Sequence, residues 1–185
     1  MKTVFFDIDT QIDFLYPAGA LYVPGAEKLL GTLADLNRRA PLVISTMCTH
    51  SEDDPEFKVY PHHCVAGTVG QQKPVILLRE KRAAIPSRAD GVEQIILEKQ
   101  ELDCFSNPLL MPLLGELNAD RYVVYGVVTE ICVKFAAFGL LKTGKRVEIV
   151  KDAVKALDDA VASKMFSEFS AAGGHLTTSG QLAST

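Results

Sequence analysis

Short apolar runs alternate with longer segments of helical periodicity along the chain, and this alternation predicts an α/β fold. Runs such as Thr3–Ile8 and Pro41–Thr46 lack the polar–apolar alternation of half-buried strands, as is usual when helices cover both faces of a parallel sheet. Further strands are predicted at Pro74–Leu78, Gln94–Leu97, Tyr122–Tyr125 and Arg146–Val150, with a short one near Leu176–Thr178. Helices are predicted at Ala26–Arg39, Asn107–Leu117, Glu130–Lys142 and Ala156–Ala172. The pattern indicates a three-layer, doubly wound, mostly parallel sheet of about six strands with helices on both faces.

A long segment without such a pattern, residues 47–73, contains three of the four histidines. A loop of this length inside a compact domain is usually functional. Ligands of parallel sheets bind beyond the carboxyl ends of the strands. Asp9, Asp13, Lys99 and the turn after Tyr125 all follow predicted strands. The sequence therefore predicts a site where these segments meet.

Composition narrows the class of protein. The 185 residues are 48% hydrophobic and 23% charged, which fits a single globular domain over residues 1–185. A net charge of −4 and the lack of a Lys/Arg-rich block argue against nucleic-acid binding. No apolar run approaches the roughly 20 residues that span a bilayer. Asp7 comes too early for the apolar core of a signal peptide. We therefore expect a cytoplasmic protein without a membrane partner.

Two aspartates at the end of the first predicted strand suggest one kind of nucleophile. The order Asp7-Ile8-Asp9 resembles the opening motif of haloacid dehalogenase-type phosphatases, in which the first aspartate attacks phosphorus. That family continues with a small residue and then Thr or Val, whereas Thr10 and Gln11 stand here. The phosphatase interpretation is therefore an alternative, and it predicts magnesium-dependent activity that needs Asp7.

Cys132 suggests a second kind of nucleophile. The strand Tyr122–Tyr125 runs into Gly126, and Thr129 is placed to cap the helix that follows. Cys132 would then lie in the first helical turn, where the helix dipole and free N–H groups favour the thiolate. The same N–H groups can bind an oxyanion on a substrate carbonyl. Burial in the helix–sheet interface is the equally simple structural explanation for this cysteine.

A thiol nucleophile needs a base and a group that stabilises charge. Asp13 lies beyond the first strand and would reach Cys132 if the two strands are neighbours. Lys99 ends the predicted strand "QIILEK" and precedes a polar loop, so its ammonium could stabilise both anions. We expect these three side chains to lie together.

Four motifs resemble those of the isochorismatase-like cysteine hydrolases, and of nicotinamidases among them, and they occur in the same order along the chain. They are "DTQIDF" (9–14), "YPHHCVAGTVG" (60–70), "EKQELDCFSNPLL" (98–110) and "GVVTEICV" (126–133). The resemblance implies a catalytic triad of Asp13, Lys99 and Cys132, with Asp9 in support. It also implies a cis peptide between Val127 and Val128, and an oxyanion hole formed by the N–H groups of Val128 and Cys132.

The resemblance extends to substrate and metal ligands. Phe14 and Tyr60 match aromatic positions that sandwich a planar ring in nicotinamidases, and Val127 would also contact substrate. His50 and His63 match metal ligands, while Cys48 stands where an aspartate is expected. The metal ligands that the resemblance implies are Cys48, His50 and His63, with Asp54 as a further ligand. Thiolate and imidazole suit zinc or another divalent metal, although a decayed site is an open alternative.

The resemblance predicts a hydrolase of the C–N bond in a small planar amide, acting through a thioester on Cys132, with nicotinamide as the first candidate. The alternatives are another isochorismatase-family hydrolase, a catalytically idle member that binds a small ligand, and the phosphatase. A small-molecule amide is the expected partner. The resemblance also leads us to expect a homo-oligomer.

Overall fold

The strands form one parallel sheet in the computed structural model, which describes residues 1–85 and 91–182. Seven strands occur within those residues, close to the estimate of about six. They are β1 (Thr3–Ile8), β2 (Val43–Cys48), β3 (Arg82–Ala84), β4 (Gln94–Lys99), β5 (Arg121–Val127), β6 (Arg146–Lys155) and β7 (His175–Thr177). Their spatial order is β3-β4-β2-β1-β5-β6-β7, and each neighbouring pair is parallel. The predicted α/β class with a doubly wound parallel sheet is confirmed.

Helices connect the strands. The α-helices are α1 (Ile12–Leu15), α2 (Leu30–Arg39), α3 (Leu110–Leu117), α4 (Lys134–Leu141), α5 (Asp159–Ala171) and α6 (Ser179–Leu182). Short 3₁₀ turns occur at Ala26–Leu29, Pro55–Lys58, Val75–Leu77 and Cys104–Ser106, and one π-helical turn covers Thr129–Val133. Apolar residues of both sheet faces and of the inner helix faces form a continuous core, as expected for a sheet covered on both sides.

One predicted strand is wrong. Pro74–Leu78 contains the 3₁₀ turn Val75–Leu77, in which Val75 and Ile76 are exposed and only Leu77 enters the core. Pro74 has no N–H to donate to a sheet. The edge strand beside β4 is instead β3. Its three residues are too few and too exposed to give an apolar signal in the sequence.

The boundary between the last long strand and its helix also differs from the prediction. β6 continues to Lys155, five residues beyond the predicted end at Val150, so α5 begins later than expected. Asp158 is the N-cap of α5, and its carboxylate accepts hydrogen bonds from the N–H groups of Ala160 and Val161. The adjacent acids at 158 and 159 therefore begin a helix rather than lying inside one.

The topology brings four strand ends to one edge of the sheet. β1 lies between β2 and β5, and β4 lies on the far side of β2. Because all four strands are parallel, the residues that follow their carboxyl ends meet at a common edge, which is where ligands of this architecture bind.

Candidate active site

Lys99, Asp9 and Cys132 meet at this edge of the sheet. The Lys99 Nζ lies 3.0 Å from the Asp9 Oδ2 and 3.8 Å from the Cys132 Sγ. Asp9 and Lys99 are each 1% exposed, and Cys132 is 7% exposed. An acid, a cation and a thiol are thus enclosed together, where electrostatic interactions are stronger than in water.

Asp9 directly follows β1 and is held firmly. Its backbone adopts a left-handed conformation with φ of 48°. Its Oδ1 accepts a 2.6 Å hydrogen bond from the Thr46 hydroxyl, whose oxygen accepts in turn from the Asp9 N–H. Burial would raise the pKa of Asp9, but the Lys99 ammonium and the Thr46 hydroxyl outweigh it and hold this pKa below its ordinary value. Asp9 is therefore a carboxylate near neutral pH.

The structure places Asp9, and not Asp13, against Lys99 and Cys132. Asp13 lies on α1, past the end of the strand, and each of its carboxylate oxygens accepts a backbone hydrogen bond. Oδ1 accepts from the Ala20 N–H at 2.9 Å, and Oδ2 accepts from the Cys64 N–H at 2.7 Å. A side chain at Gly70 would collide with this carboxylate, since a Cβ there would lie 2.2 Å from Oδ2. Asp13 therefore anchors the loop of residues 47–73, which corrects its predicted position in the triad.

Cys132 lies on the turn that follows β5. The peptide between Val127 and Val128 is cis, as the resemblance predicted. The following turn is π-helical, and Val128 rather than Thr129 is its N-cap. The Thr129 hydroxyl is buried and has no hydrogen-bond partner among the described residues, so its predicted capping role is wrong.

The Cys132 thiol is protonated in the resting site. Burial raises its pKa well above the ordinary value against the opposing effect of the Lys99 ammonium, and the Asp9 carboxylate raises it further. The prediction that the helix terminus would lower this pKa is therefore wrong. A thiol beside a carboxylate is an acid–base pair in which the proton starts on sulfur.

Lys99 stays cationic although it is fully enclosed. Besides Asp9, its Nζ contacts the Cys48 Sγ at 3.2 Å and donates to the Glu101 carbonyl at 3.0 Å. Burial alone would lower the pKa of Lys99, but Asp9 and the nearby cysteines raise it well above its ordinary value. Lys99 therefore provides a fixed positive charge between two thiols and a carboxylate.

Cys48, His50 and His63 form a cluster that fits a metal ion. One ligand atom from each side chain lies within 4.8 Å of the other two, and all three residues are buried. The His50 Nε2 is buried without a hydrogen-bond partner among the described residues. Such an orphaned nitrogen beside a thiol and a second imidazole suits a divalent cation of the zinc type.

Asp54 is not part of this cluster, which corrects its predicted role as a ligand. Its Oδ2 lies 3.0 Å from the His50 Nδ1, and its Oδ1 accepts from the Glu56 N–H as the cap of a 3₁₀ turn. The His63 Nδ1 similarly faces the Pro61 carbonyl at 2.8 Å. Each imidazole is thus oriented through Nδ1 and directs Nε2 inward, as in many metal sites.

A small cavity opens beside these groups. Cys48, His63, Val128 and Cys132 line one part of it. The rest of the wall is mostly apolar and aromatic, with one carboxylate: Phe14, Leu21, Val23, Glu56, Tyr60, Leu102, Ile131 and Leu157. Phe14 and Tyr60 thus lie where the resemblance predicted substrate contacts. Val127 does not line the cavity, because it is fully buried in β5, and its neighbour Val128 takes that place.

Comparison with known proteins identifies the family. Residues 3–181 match the isochorismatase domain. The chain belongs to the isochorismatase family. Nicotinamidase from Acinetobacter baylyi is 23% identical over 172 residues, which cover 82% of this chain and 80% of that protein.

Solved structures of two relatives agree with this membership. A pyrazinamidase of Pyrococcus horikoshii in complex with zinc has a TM-score of 0.84 and 26% identity, covering 96% of this chain and 99% of its own. PnC1 from L. infantum in complex with nicotinate has a TM-score of 0.82 and 28% identity, covering 97% and 94%. The protein is thus a hydrolase of the isochorismatase family.

Among the described residues, no helix is long and apolar enough to span a membrane.

Two residues that position segments of the site in this isochorismatase-family hydrolase were not predicted from the sequence. The Gln11 side chain donates to the Cys48 and Gln71 carbonyls and accepts from the Cys48 N–H. It therefore fixes the end of β2, where the candidate metal ligands begin. The Glu130 Oε1 accepts from the N–H groups of Leu157 and Asp158, which joins the Cys132 turn to the start of α5. Gln11 lies within the quoted "DTQIDF" motif, so that match was the available signal.

The geometry argues against the phosphatase interpretation. Asp7 is 0% exposed, and its carboxylate is occupied by the Lys73 ammonium at 3.2 Å, the Ser45 hydroxyl at 2.9 Å and the Thr10 hydroxyl at 2.7 Å. A carboxylate enclosed in this way has no access to a phosphate. The role of Asp7 in this family member is to bind Lys73 in the interior.

Proposed function

We propose that this protein hydrolyses the C–N bond of a small planar amide through a thioester on Cys132, as a nicotinamidase-like amidase. The observation that supports this most directly is the buried set of Asp9, Lys99 and Cys132, in which a thiol is placed beside a carboxylate and an ammonium. Nicotinamide is the first substrate to test. The relatives named nicotinamidase and pyrazinamidase support this choice.

In the first half of the reaction, Asp9 takes the proton of the Cys132 thiol as sulfur attacks the amide carbon. A C–S bond forms and the carbonyl π pair moves to oxygen. The oxyanion is bound by the N–H groups of Val128 and Cys132, each worth about 3 kcal/mol in other acyl-transfer enzymes. The N–H groups of Ile131 and Val133 are not free for this task, because both donate to the Val128 carbonyl.

The tetrahedral adduct then breaks its C–N bond. Asp9 gives its proton to the leaving nitrogen, so ammonia departs and a thioester remains on Cys132. Asp9 next takes a proton from water as the water oxygen attacks the thioester. The C–S bond breaks, the acid leaves, and Asp9 returns the proton to the Cys132 sulfur. Lys99 keeps its charge throughout and holds both anions in place.

The adjacent cluster would hold a divalent metal through Cys48, His50 and His63. When bound, the ion would place a positive charge at the wall of the cavity. Side chains of the protein form the rest of that wall, and Phe14 and Tyr60 are available there to pack against the faces of a planar substrate.

Ammonia release from a panel of small amides tests this function. The panel contains nicotinamide, pyrazinamide and benzamide, and each is incubated with the native protein and with Cys132→Ala. We expect release by the native protein and loss of release in the variant. If the native protein releases no ammonia from any amide of the panel, the amidase proposal fails. Direct binding assays would then test the idle, ligand-binding alternative.

A further inference from the structure

A second cavity lies at the amino edge of the sheet, where the strands begin, opposite the candidate active site. Its volume is about 500 Å³, and it shares no lining residue with the active-site cavity. Thr3 begins β1 and pairs with Arg121, which begins β5, and both residues line this cavity. Because the six residues of β1 rise about 3.3 Å each, roughly 20 Å separate this edge from Asp9 and Cys132. The two cavities are therefore separate.

The wall of this cavity combines two arginines with an apolar surface. Arg39 and Arg121 supply the charged part, and no carboxylate of the described residues lines the cavity. The chain as a whole has a net charge of −4, so this edge has the opposite sign to the molecule. Five residues supply the apolar part: Met1, Phe5, Leu36, Pro41 and Leu182. A wall of this kind suits an anion that also has an apolar body.

The Arg121 guanidinium is buried with too few acceptors. Its side chain is 9% exposed, and its Nη2 donates to the Glu148 carboxylate at 2.8 Å. Its Nε is buried and has no hydrogen-bond partner within residues 1–85 and 91–182. Glu148 is also shared, because its other oxygen accepts from the Arg146 Nε. Two guanidinium cations thus compete for one carboxylate, and a buried cation with an unpaired donor is costly.

Arg39 adds a second cation at the exposed rim of the cavity. It ends α2, and its guanidinium makes two long contacts, both at 3.4 Å, to the carbonyl oxygens of Asp35 and Ser179. In the described part of the chain it forms no ion pair with a carboxylate. Its neighbour Arg38 differs, since it forms an ion pair with Asp35 and does not line the cavity. Arg39 is therefore available to an anion from solution.

We propose that this cavity, the amino-edge site, binds a small organic carboxylate that has an aromatic or other apolar body. The carboxylate accepts hydrogen bonds from the guanidinium groups of Arg39 and Arg121, whose planar fork matches its two oxygens. The apolar body lies against Phe5, Leu36 and Pro41. This binding is separate from the amidase chemistry, and it does not depend on whether the protein cleaves amides.

Amide-resolved NMR of isotope-labelled protein, with benzoate as the probe, tests this proposal. We expect benzoate to shift the backbone amide signals of Thr3, Arg39 and Arg121 in a saturable way. Benzamide has the same ring without the charge, and it should leave these three signals in place. The signals of Val128 and Cys132 report separately on any benzoate that enters the active-site cavity.

Two arginine substitutions test the role of the charges. Arg39→Gln should weaken benzoate binding at the amino-edge site about tenfold, as expected for the loss of one charge-assisted hydrogen bond. The matched control is Arg38→Gln, which removes the adjacent cation outside the cavity and should bind benzoate like the native protein. Arg121→Lys keeps a cation beside Glu148 but loses the planar fork, so its binding should also weaken.

Three results would overturn the amino-edge site. The first is benzoate that shifts none of the signals of Thr3, Arg39 and Arg121. The second is equal benzoate affinity in the native protein and in Arg39→Gln. The third is inorganic phosphate that binds at these residues as tightly as benzoate, since the apolar wall would then contribute nothing and the edge would be an unselective cationic patch.

Discussion

At the scale of single residues, two aspartates of one short motif have separate tasks. Asp9 shares a buried contact with Lys99, and its pKa is held low. Asp13 gives both carboxylate oxygens to backbone N–H groups of other segments. Only three residues therefore separate a candidate catalytic acid–base group from an anchor of the active-site loop.

Substituting these aspartates should separate the two tasks. Because the Asp9 carboxylate raises the pKa of the Cys132 thiol, Asp9→Asn should lower that pKa and speed alkylation of Cys132 by iodoacetamide at neutral pH. The same variant should lose roughly a hundredfold or more of its amide hydrolysis, since no base remains. The pH dependence of alkylation, measured on metal-free protein, checks the first effect.

Asp13→Asn is the matched control for this comparison. It removes one of the two backbone hydrogen-bond acceptors and should lower the free energy of unfolding by about 1–3 kcal/mol. The pH profile of Cys132 alkylation should stay as in the native protein. A profile that shifts in Asp13→Asn but not in Asp9→Asn would contradict the assignment.

At the scale of elements, the Cys132 turn is supported by close backbone packing and by one side chain. Gly126 has φ of 116°, and a Cβ there would lie 2.1 Å from the Ile8 carbonyl oxygen. Glu130 joins the turn to the segment before α5 through two backbone N–H groups. The candidate nucleophile is thus positioned by contacts between β1, β5 and the start of α5.

Loss of the Glu130 carboxylate should loosen this junction. Glu130→Ala leaves the N–H groups of Leu157 and Asp158 without their acceptor, so the free energy of unfolding should fall by about 1–3 kcal/mol. Because Leu157 lines the cavity, KM for the best amide should rise. Urea unfolding and steady-state kinetics check the two effects.

Glu168→Ala is a suitable control for Glu130. Its carboxylate makes an exposed ion pair with Lys134, with both side chains 44% exposed, so its loss should cost less than about 1 kcal/mol. Equal destabilisation by the two substitutions would show that Glu130 has no special place in the junction.

Gly126→Ala should disturb the pairing of β1 with β5 itself. Alanine is strained at this positive φ, and its Cβ would meet the Ile8 backbone, which cannot move independently of the sheet. We expect a large loss of stability in urea unfolding. Gly115→Ala, where an added Cβ has no heavy atom within 4 Å, should be stable. Native-like stability of Gly126→Ala would contradict the close approach of these strands.

At the scale of the whole molecule, the fold could be predicted from the sequence better than the site. β1 and β5 lie inside the sheet and their apolar runs are mostly buried, which gave a clear signal, whereas β3 is short and lies at an exposed edge. Lys99 and Cys132 could be predicted, because each lies at or just after the end of a predicted strand and within a motif of the family. Asp9 and Asp13 could not be told apart, because the direction of each carboxylate depends on the path of the chain after β1.

Glu56 shows another limit of the sequence. An acidic residue in a polar loop has no pattern that separates it from its exposed neighbours Glu52 and Asp53. Only the folded loop directs Glu56 towards His63 and the cavity. The prediction of Asp54 as a ligand failed for the same reason, since its carboxylate faces the Nδ1 rather than the Nε2 of His50.

Four buried thiols should make the whole molecule sensitive to alkaline pH. Burial raises the pKa of Cys48 and Cys104 to about 12, and raises those of Cys64 and Cys132 as well. A raised folded-state pKa means that the unfolded chain loses the thiol protons first, near pH 9, so stability falls as pH rises above that value. Between pH 9 and 10 the loss should be about 1 kcal/mol for each thiol.

Urea unfolding of the metal-free protein at pH 8, 9 and 10 checks this dependence. Cys104→Ala removes one of the four thiols and should reduce the drop between pH 9 and 10 by about a quarter, whatever its effect at pH 8. Stability that is unchanged from pH 8 to pH 10 would show that these thiols are not buried as described.

The covalent intermediate on Cys132 is the central claim, and trapping with hydroxylamine tests it most directly. The native protein is incubated with its best amide in the presence of hydroxylamine, and the corresponding hydroxamate is measured beside the acid and ammonia. A thioester predicts hydroxamate that increases with hydroxylamine at the expense of the acid, and none in Cys132→Ala. Continued ammonia release by Cys132→Ala, or release by the native protein without any hydroxamate, would contradict the account.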